Sequence, residues 1–149
     1  MSDEERHVLY TDGSALGNPG HGGAGAVLLD SHGSVVFSVG VYLGSRVSNN
    51  VAEYKGLIVG VERALAVGAR RLDLRLDSEL VVRQLQGRYR VTSPALRVLY
   101  ERALEVLGGL EDWNAFHVPR AQNGEADRAA GEAARLGKAG KLAEGEEVP

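Results

Sequence analysis

The hydrophobic pattern changes its period several times along this chain, and the order of those changes constrains the fold more than any other feature. Residues 7–12 contain an apolar run. After a Gly-rich turn, residues 24–30 and 34–43 have the pattern of a hairpin pair joined at 31–33. These segments are typical of three strands in a meander. Residues 48–68 then begin with capping side chains, carry apolar residues at helical spacing and end at a glycine, which predicts a long helix.

The second half of the chain alternates strands with helices. Residues 70–77 have leucines at every second position, which predicts a strand. A short helix from Ser78 to Gly87 and a longer one from Ser93-Pro94 to Gly108 come next. Residues 112–118 form the last predicted strand, and Asn123 begins an Ala-rich helix. The order β-β-β-α-β-α-α-β-α predicts an α/β fold with a five-stranded mixed sheet flanked by helices.

The length of 149 residues fits one domain, which we place at 7–137. The acidic ends, 1–6 and 138–149, are expected to be mobile. Because the chain has no cysteine, disulfides and thiolate metal sites are excluded, and a bound metal would need oxygen or imidazole ligands. No signal-type segment and no apolar run of ~18 residues is present. We therefore expect a cytoplasmic protein without a membrane-spanning segment.

The formal net charge of −3 is unevenly distributed. Six carboxylates lie close to the two ends, and without them the rest of the chain has a formal net charge of +3; they are Asp3, Glu4, Glu5, Glu144, Glu146 and Glu147. A mildly basic body is compatible with a groove that follows phosphates, although charge scatter of this size is also common without one.

Four carboxylates occur where the local pattern favours apolar or ordinary surface residues: Asp12, Glu53, Asp77 and Asp127. Asp12 follows the apolar run of a strand that we expect to be central, at or near its carboxyl end. Burying an isolated carboxylate there is costly unless a metal or another partner compensates it. The alternative is an aspartate that organises the following turn.

The other three acids have structural alternatives as well. Glu53 shares an inward helical face with Leu57, yet its spacing from Asn50 is that of a capping box. Asp77 ends a strand, where open α/β sheets collect ligands, yet it could cap the next helix. Asp127 lies in the first turn of the last helix, where a negative charge also suits the macrodipole.

The joint arrangement of the four acids is more informative than any one of them. Each belongs to a different element around one sheet, so all four can meet at a common edge. Coordination by oxygen alone suits Mg²⁺ or Mn²⁺, which retain water ligands and take further oxygens from a phosphate. The sequence therefore predicts a metal site.

Four sequence blocks that contain these acids resemble, in order and spacing, the motif blocks of type 1 ribonuclease H. They are YTDGSALGNPGHGGAGAVL, SNNVAEYKGLIVGVERAL, LRLDSELVVRQLQG and VPRAQNGEADRAA. The resemblance extends over residues 8–136. It implies the ribonuclease H-like fold, whose five-stranded mixed sheet with flanking helices agrees with the element order above.

The resemblance also implies an activity: endonucleolytic cleavage of the RNA strand of an RNA/DNA hybrid, leaving a 5′-phosphate and a 3′-hydroxyl. It implies two Mg²⁺ ions, with Mn²⁺ as a substitute, on either side of the scissile phosphate. Asp12 would bridge both ions, Asp127 would help to hold the ion that activates water, and Glu53 and Asp77 would hold the other ion. The expected partner is the RNA/DNA hybrid, with double-stranded RNA as a possible second one, and we expect a monomer.

Three asparagines match family positions that contact the hybrid: Asn18, Asn49 and Asn50. Their amides could recognise the 2′-hydroxyls of RNA. Turn formation by Asn18 and helix capping by Asn49 and Asn50 are the competing interpretations.

The chain departs from the family pattern in two places. Many members carry a histidine on the loop before the last helix, where this chain has Pro119, Arg120 and two further residues. We expect either that Arg120 acts electrostatically or that no residue takes the role, because His117 is predicted to pack within a strand. Some members use a Lys-rich helical insertion to hold the hybrid, and this chain has only a short connection with Arg88 and Arg90 in its place. We therefore expect a modest affinity for the hybrid.

Three other functions are compatible with parts of the sequence. A module that binds the hybrid without cutting it would not need all four acids. A nucleotide-binding protein of the sugar-kinase or actin type would need a longer, two-domain chain. A junction resolvase would not be expected to match all four blocks.

Overall fold

The computed structural model describes residues 5–149 as one α/β domain with the predicted element order. The strands and helices are β1 His7–Leu16, β2 Gly20–Leu29, β3 Val35–Val47, α1 Asn49–Ala66, β4 Arg71–Leu76, α2 Glu79–Leu85, α3 Pro94–Leu107, β5 Asp112–His117 and α4 Gly124–Lys138. A 3₁₀ turn, Arg120–Gln122, precedes α4. The predicted fold class is therefore confirmed.

The five strands form one mixed sheet in the order β3-β2-β1-β4-β5. The β1–β2 and β2–β3 pairs are antiparallel, whereas β4 is parallel to both β1 and β5. This places β1 in the centre, as the apolar run at its start predicts. The leucines of β4 and Leu9 of β1 are fully buried in the main core.

The helices cover both faces of the sheet. Neighbouring residues of β2 face opposite helices. Ala26 faces α1, since its Cβ is 3.2 Å from where a Cβ on Gly60 would lie. Gly25 faces α4, since a Cβ there would lie 2.0 Å from the Ala126 carbonyl oxygen. Helices α1 and α3 pack together, and α4 packs against β1, β2 and β3. The arrangement leaves the end of the sheet beyond the carboxyl terminus of β4 open to ligands, and this end is called the open sheet edge below.

The Gly-rich segment after Asp12 forms much less of a turn than we predict from its composition. Strand β1 continues to Leu16 and β2 begins at Gly20, so that only residues 17–19 connect them. Asp12 consequently lies inside a strand and not at its end, which corrects the prediction. The glycines of these strands serve close packing, because helix backbones cover several of them at distances that exclude a Cβ.

The C-terminal segment 138–149 lies along the outer edge of β3. The N–H of Tyr42 donates a hydrogen bond to the carbonyl of Glu146 (3.0 Å), and the N–H of Val148 donates one to the carbonyl of Gly40 (2.9 Å). These contacts were not foreseen from the composition of the segment, whose mobility stays a prediction. Of the acidic N-terminal segment, residues 1–4 lie outside the described part of the chain.

Within residues 5–149, no helix is both long enough and apolar enough to cross a membrane.

Candidate metal centre

Three of the four predicted acids come together at the open edge of the sheet. One carboxylate oxygen from each of Asp12, Glu53 and Asp77 lies within 4.8 Å of the others. Strand pairing explains part of this geometry. The parallel register of β1 and β4 ends at Tyr10 opposite Arg75, and Asp12 and Asp77 each follow two residues later.

Glu53 reaches this cluster from α1, and it does not belong to a capping box. The N-cap of α1 is Ser48, whose hydroxyl accepts a hydrogen bond from the N–H of Val51 (3.3 Å). A capping box would require Asn50 as the N-cap and Glu53 as the third helical residue. Because Ser48 is the N-cap, Glu53 is the fifth helical residue and cannot return that hydrogen bond. The capping interpretation is therefore wrong for this residue.

The close packing of α1 on β1 positions the Glu53 side chain. A Cβ on Gly13 would lie 2.1 Å from the Ala52 carbonyl carbon, so only glycine permits this approach. The N–H of Gly13 donates a hydrogen bond to Oε1 of Glu53 (3.2 Å). The residue after Asp12 thus orients the second acid of the cluster.

Asp77 is not the cap of the helix that follows it. The hydroxyl of Ser78 accepts the capping bond from the N–H of Val81 (3.3 Å). The alternative of a purely structural Asp77 therefore loses its basis, and the carboxylate lies in the cluster with Asp12.

Asp127 faces the same cavity from the first turn of α4 but lies outside the three-residue cluster. Its side chain is 38% exposed, and its Oδ1 lies 3.5 Å from Nη2 of Arg120. The position also suits the macrodipole of α4, so the two interpretations of Asp127 are compatible.

The four carboxylates line a cavity of about 450 Å³. Its other lining residues are Gly13, Ser14, Ala15, Asn49, Asn50, Ser78 and Arg120. The cavity is open and polar, as a site for a charged polymer backbone would be. The sequence does not mark Ser14 and Ser78 as site residues, except that each lies within two residues of a predicted acid.

Burial and mutual repulsion strongly perturb two of the acids. Burial raises the pKa of Asp12 far above its usual range, and the proximity of Glu53 adds to the effect. Burial also raises the pKa of Glu53, and the negative charge of Asp77 contributes. Each carboxylate is thus destabilised in its charged form unless a cation joins the site.

The donor set fits a hard divalent cation. All of the clustered ligands are carboxylate oxygens, the type that Mg²⁺ and Mn²⁺ bind. The buried Oε2 of Glu53 has no hydrogen-bond partner within the described chain. A buried acceptor without a donor is unfavourable, and coordination of a cation would satisfy it.

The predicted substrate asparagines have different positions. Asn49 and Asn50 line the cavity. Asn18 does not, and its Oδ1 accepts a hydrogen bond from the N–H of Asn49 (3.0 Å), which ties the β1–β2 turn to the start of α1. Asn18 thus organises the turn, as its alternative interpretation predicts. The capping interpretation of Asn49 and Asn50 is wrong, because Ser48 is the N-cap of α1. Contact of any of the three asparagines with substrate stays a prediction.

The two candidates for the role of the family's loop histidine also separate. His117 lies in β5 as predicted, where it is the last residue, but its side chain is exposed and not packed, and it is not a lining residue of the cavity. The prediction of a packed His117 is wrong because this residue is the last one of an edge strand, beyond the buried Ala115. Arg120 does line the cavity.

The sheet order and the clustered acids at its edge define a protein of the ribonuclease H-like class. Residues 10–133 match the family model described as reverse transcriptase-like. The crystal structure of ribonuclease H1 from Halobacterium salinarum has a TM-score of 0.84 and 44% identity, covering 86% of this chain and 96% of that chain. The chain belongs to the type 1 ribonuclease H family.

Two other solved structures are similar. The N-terminal ribonuclease H domain of a Mycobacterium tuberculosis protein has a TM-score of 0.86 and 37% identity, covering 92% of this chain and 99% of that chain. LC11-RNase H1, solved in complex with an RNA/DNA hybrid, has a TM-score of 0.83 and 34% identity, covering 89% of this chain and 99% of that chain.

The chain spans only part of the length of two curated relatives that it matches. The match to the ribonuclease HI of Halobacterium salinarum has 44% identity and covers 83% of this chain but 62% of that protein. The match to the bifunctional protein of Mycobacterium tuberculosis has 41% identity and covers 85% of this chain but 35% of that protein.

Proposed function

We propose that this chain is an endoribonuclease that hydrolyses the RNA strand of RNA/DNA hybrids and leaves 5′-phosphate and 3′-hydroxyl ends. The observation that carries the proposal is the convergence of Asp12, Glu53 and Asp77, from three separate elements, to within 4.8 Å at the open sheet edge. Such a cluster has a high electrostatic cost without a cation and suits metal-dependent phosphodiester chemistry. The hybrid bound by LC11-RNase H1 supports the choice of substrate.

Four carboxylates would hold the metal: Asp12, Glu53, Asp77 and Asp127. We propose Mg²⁺, with Mn²⁺ as a substitute, because both accept an all-oxygen shell that includes water and phosphate. Two such ions, when bound, would stabilise the attacking and leaving oxygens of an in-line displacement.

The positions of the acids suggest how they divide the work. Asp12 is the most buried of the four, and its carboxylate lies close to those of Glu53 and Asp77 and also to that of Asp127 from α4. It is therefore suited to a bridging role. Glu53 and Asp77 would hold the leaving-group side, and the more exposed Asp127 would help to orient the attacking water.

Arg120 is our candidate for the role that a loop histidine has in many relatives. Its guanidinium lines the cavity and lies 3.5 Å from Asp127. A fixed cation there would stabilise the negative charge that develops on the phosphate during displacement. An arginine cannot exchange protons at neutral pH, so its contribution would be electrostatic.

Asn49 and Asn50 border the cavity and would contact the hybrid, with Asn18 supporting the turn beside them. The 2′-hydroxyl of RNA is the group that their amides would distinguish. We propose the hybrid as the main substrate, double-stranded RNA as a possible second one, a monomer as the working form and the cytoplasm as its location.

The decisive test compares the wild-type chain with Asp12→Asn on labelled RNA/DNA hybrid, double-stranded RNA and double-stranded DNA. We expect cleavage of the hybrid with Mg²⁺ or Mn²⁺ by the wild type, and none by the variant at an unchanged circular dichroism spectrum. End analysis should show 5′-phosphates. Hybrid binding without cleavage under either metal would instead support a binding module, and cleavage by Asp12→Asn would refute the bridging role.

A further inference from the structure

The start of α4 differs from the starts of the other three helices. Ser48, Ser78 and Ser93 each use the side-chain oxygen to accept a hydrogen bond from the N–H three residues later. Asn123, the N-cap of α4, makes no such bond within the described chain, although asparagine is among the best capping residues. Its side chain is engaged elsewhere.

The Asn123 amide binds the central strand beside the metal centre. The side chain is buried, and Nδ2 donates a hydrogen bond to the carbonyl of Thr11 (2.9 Å), 112 residues away in sequence. Strand β1 pairs with β4 only as far as Tyr10, so Thr11 is the first residue beyond that pairing and directly precedes Asp12. The bond therefore joins the start of α4 to the backbone that carries Asp12.

The backbone of Asn123 extends this connection to two further residues of the cavity. Its N–H donates to the carbonyl of Arg120 (2.9 Å), and its carbonyl accepts from the N–H of Asp127 (3.0 Å). One residue thus links the strand of Asp12, the 3₁₀ turn of Arg120 and the first turn that holds Asp127.

Stability alone does not account for an asparagine at this position. Its Oδ1 is buried without a hydrogen-bond partner in the described part of the chain, which is unfavourable for stability. Helix α4 is already held against β2, where a Cβ on Gly25 would lie 2.0 Å from the Ala126 carbonyl oxygen. The hydrogen bond from the Asn123 amide to Thr11 additionally fixes where the first turn of α4 lies along β1.

We propose that Asn123 is a positioning residue that holds Asp127 at its working distance from the three clustered carboxylates. Asp127 is the one predicted acid outside that cluster, and it lies in a terminal turn, where helices fray most readily. Glu53 and Asp77, in contrast, are held by α1 packing on β1 and by the strand register. This inference rests on the proposed function of the site.

A double-mutant cycle tests whether Asn123 acts through Asp127. Asn123→Ala should lower the single-turnover cleavage rate about 10- to 100-fold, the usual cost of removing a group that orients a metal ligand, while hybrid affinity changes little. In an Asp127→Asn background the same substitution should lower the rate less than about threefold, because the residue it positions is already disabled. Asn114→Ala, which removes an exposed asparagine of β5, serves as the matched control.

Asn123→Ser provides a second variant, since serine caps the other three helices and keeps an oxygen at the helix start. It should show the same loss as Asn123→Ala even where it restores the melting temperature. A calorimetric Mn²⁺ titration of the same cycle provides a readout without catalysis. Mn²⁺ affinity should fall with Asn123→Ala and should not fall further when Asp127→Asn is already present.

The outcomes separate this inference from the proposed function. An inactive wild type would refute the function, and the Mn²⁺ cycle would still decide the role of Asn123. Losses in rate or in Mn²⁺ affinity that are equal in both backgrounds would show that Asn123 acts independently of Asp127, and the inference would be wrong.

Discussion

The backbone N–H of Gly13 donates a hydrogen bond to Oε1 of Glu53 across 3.2 Å, so the residue after one acid of the site orients another. This bond exists because α1 lies directly on β1 at Gly13, with the Ala52 carbonyl carbon 2.1 Å from where a Cβ would be. The geometry of the site therefore depends on the contact between two layers of the fold as much as on the acids themselves.

Gly13→Ala should displace α1 from β1 and disable the site. The added methyl overlaps backbone atoms that cannot rotate away, so we expect a loss of about 1–3 kcal/mol or more in the free energy of unfolding, together with loss of cleavage. Urea denaturation and the hybrid assay would measure the two effects. Gly131→Ala is a suitable control: its nearest neighbour is the flexible Arg135 guanidinium at 3.2 Å, and an alanine inside α4 should stabilise the helix.

Asp12→Asn should stabilise the metal-free protein at neutral and alkaline pH. In the folded state the buried acid beside Glu53 and Asp77 must either take up a proton or carry an unfavourable charge, and the amide avoids both costs. Relief of about 1–2 kcal/mol corresponds to roughly 2–8 °C in the melting temperature of a chain of this size. Calorimetry in EDTA would measure it, and an unchanged or lower melting temperature would contradict the expected repulsion.

The free energy of unfolding of the metal-free protein should fall as pH rises above about 4, the range where free carboxylates ionise. The pKa values of Asp12 and Glu53 are raised in the folded state, mainly by burial, so the folded chain holds more protons than the unfolded chain there. Stability rises with pH only where the unfolded state binds more protons than the folded state. Here the folded state binds more, so these two groups make the free energy of unfolding decrease as pH rises. Denaturation in EDTA across pH would measure the slope relative to Asp12→Asn, which should show a smaller decrease.

Metal binding should release protons and strengthen as pH rises. A divalent cation requires both acids in their charged form, and their raised pKa values mean that protons must leave when it binds. Titration calorimetry of Mg²⁺ in two buffers of different ionisation enthalpy would count the protons. Affinity that is independent of pH between 6 and 9 would exclude the perturbed pair from the ligand set.

Deleting residues 141–149 should lower stability and expose the edge of β3. The segment covers backbone groups of Gly40 and Tyr42, and its Glu147 pairs with Arg63 of α1. An uncovered edge strand can pair with a second chain. Light scattering and thermal melts would compare the deletion with Arg63→Ala, which removes only the ion pair; a deletion that stays monomeric with an unchanged melt would show that the segment contributes nothing.

Much of the fold could be predicted because its signals are local. The alternation of leucines in β4, the serine caps at Ser48 and Ser93, and the glycine that follows α1 all lie within the elements they define. The prediction of a turn in the Gly-rich segment after Asp12 is wrong because the structure of that segment depends on distant residues. Its glycines continue the strands and admit helix backbones, which is a property of the packed layers and not of the segment.

The sequence by itself determined the element order and the identity of the four acids, because hydrophobic period, caps and motif spacing are written along the chain. Only the tertiary structure decided which acids share one site within 4.8 Å, and that Asp127 approaches it from a separate helix. It also decided that Glu53 receives its hydrogen bond from β1 and that the Asn123 amide binds Thr11 instead of capping α4. These relationships depend on strand register and on the close approach of helices to the sheet, and both arise only when distant segments pack together.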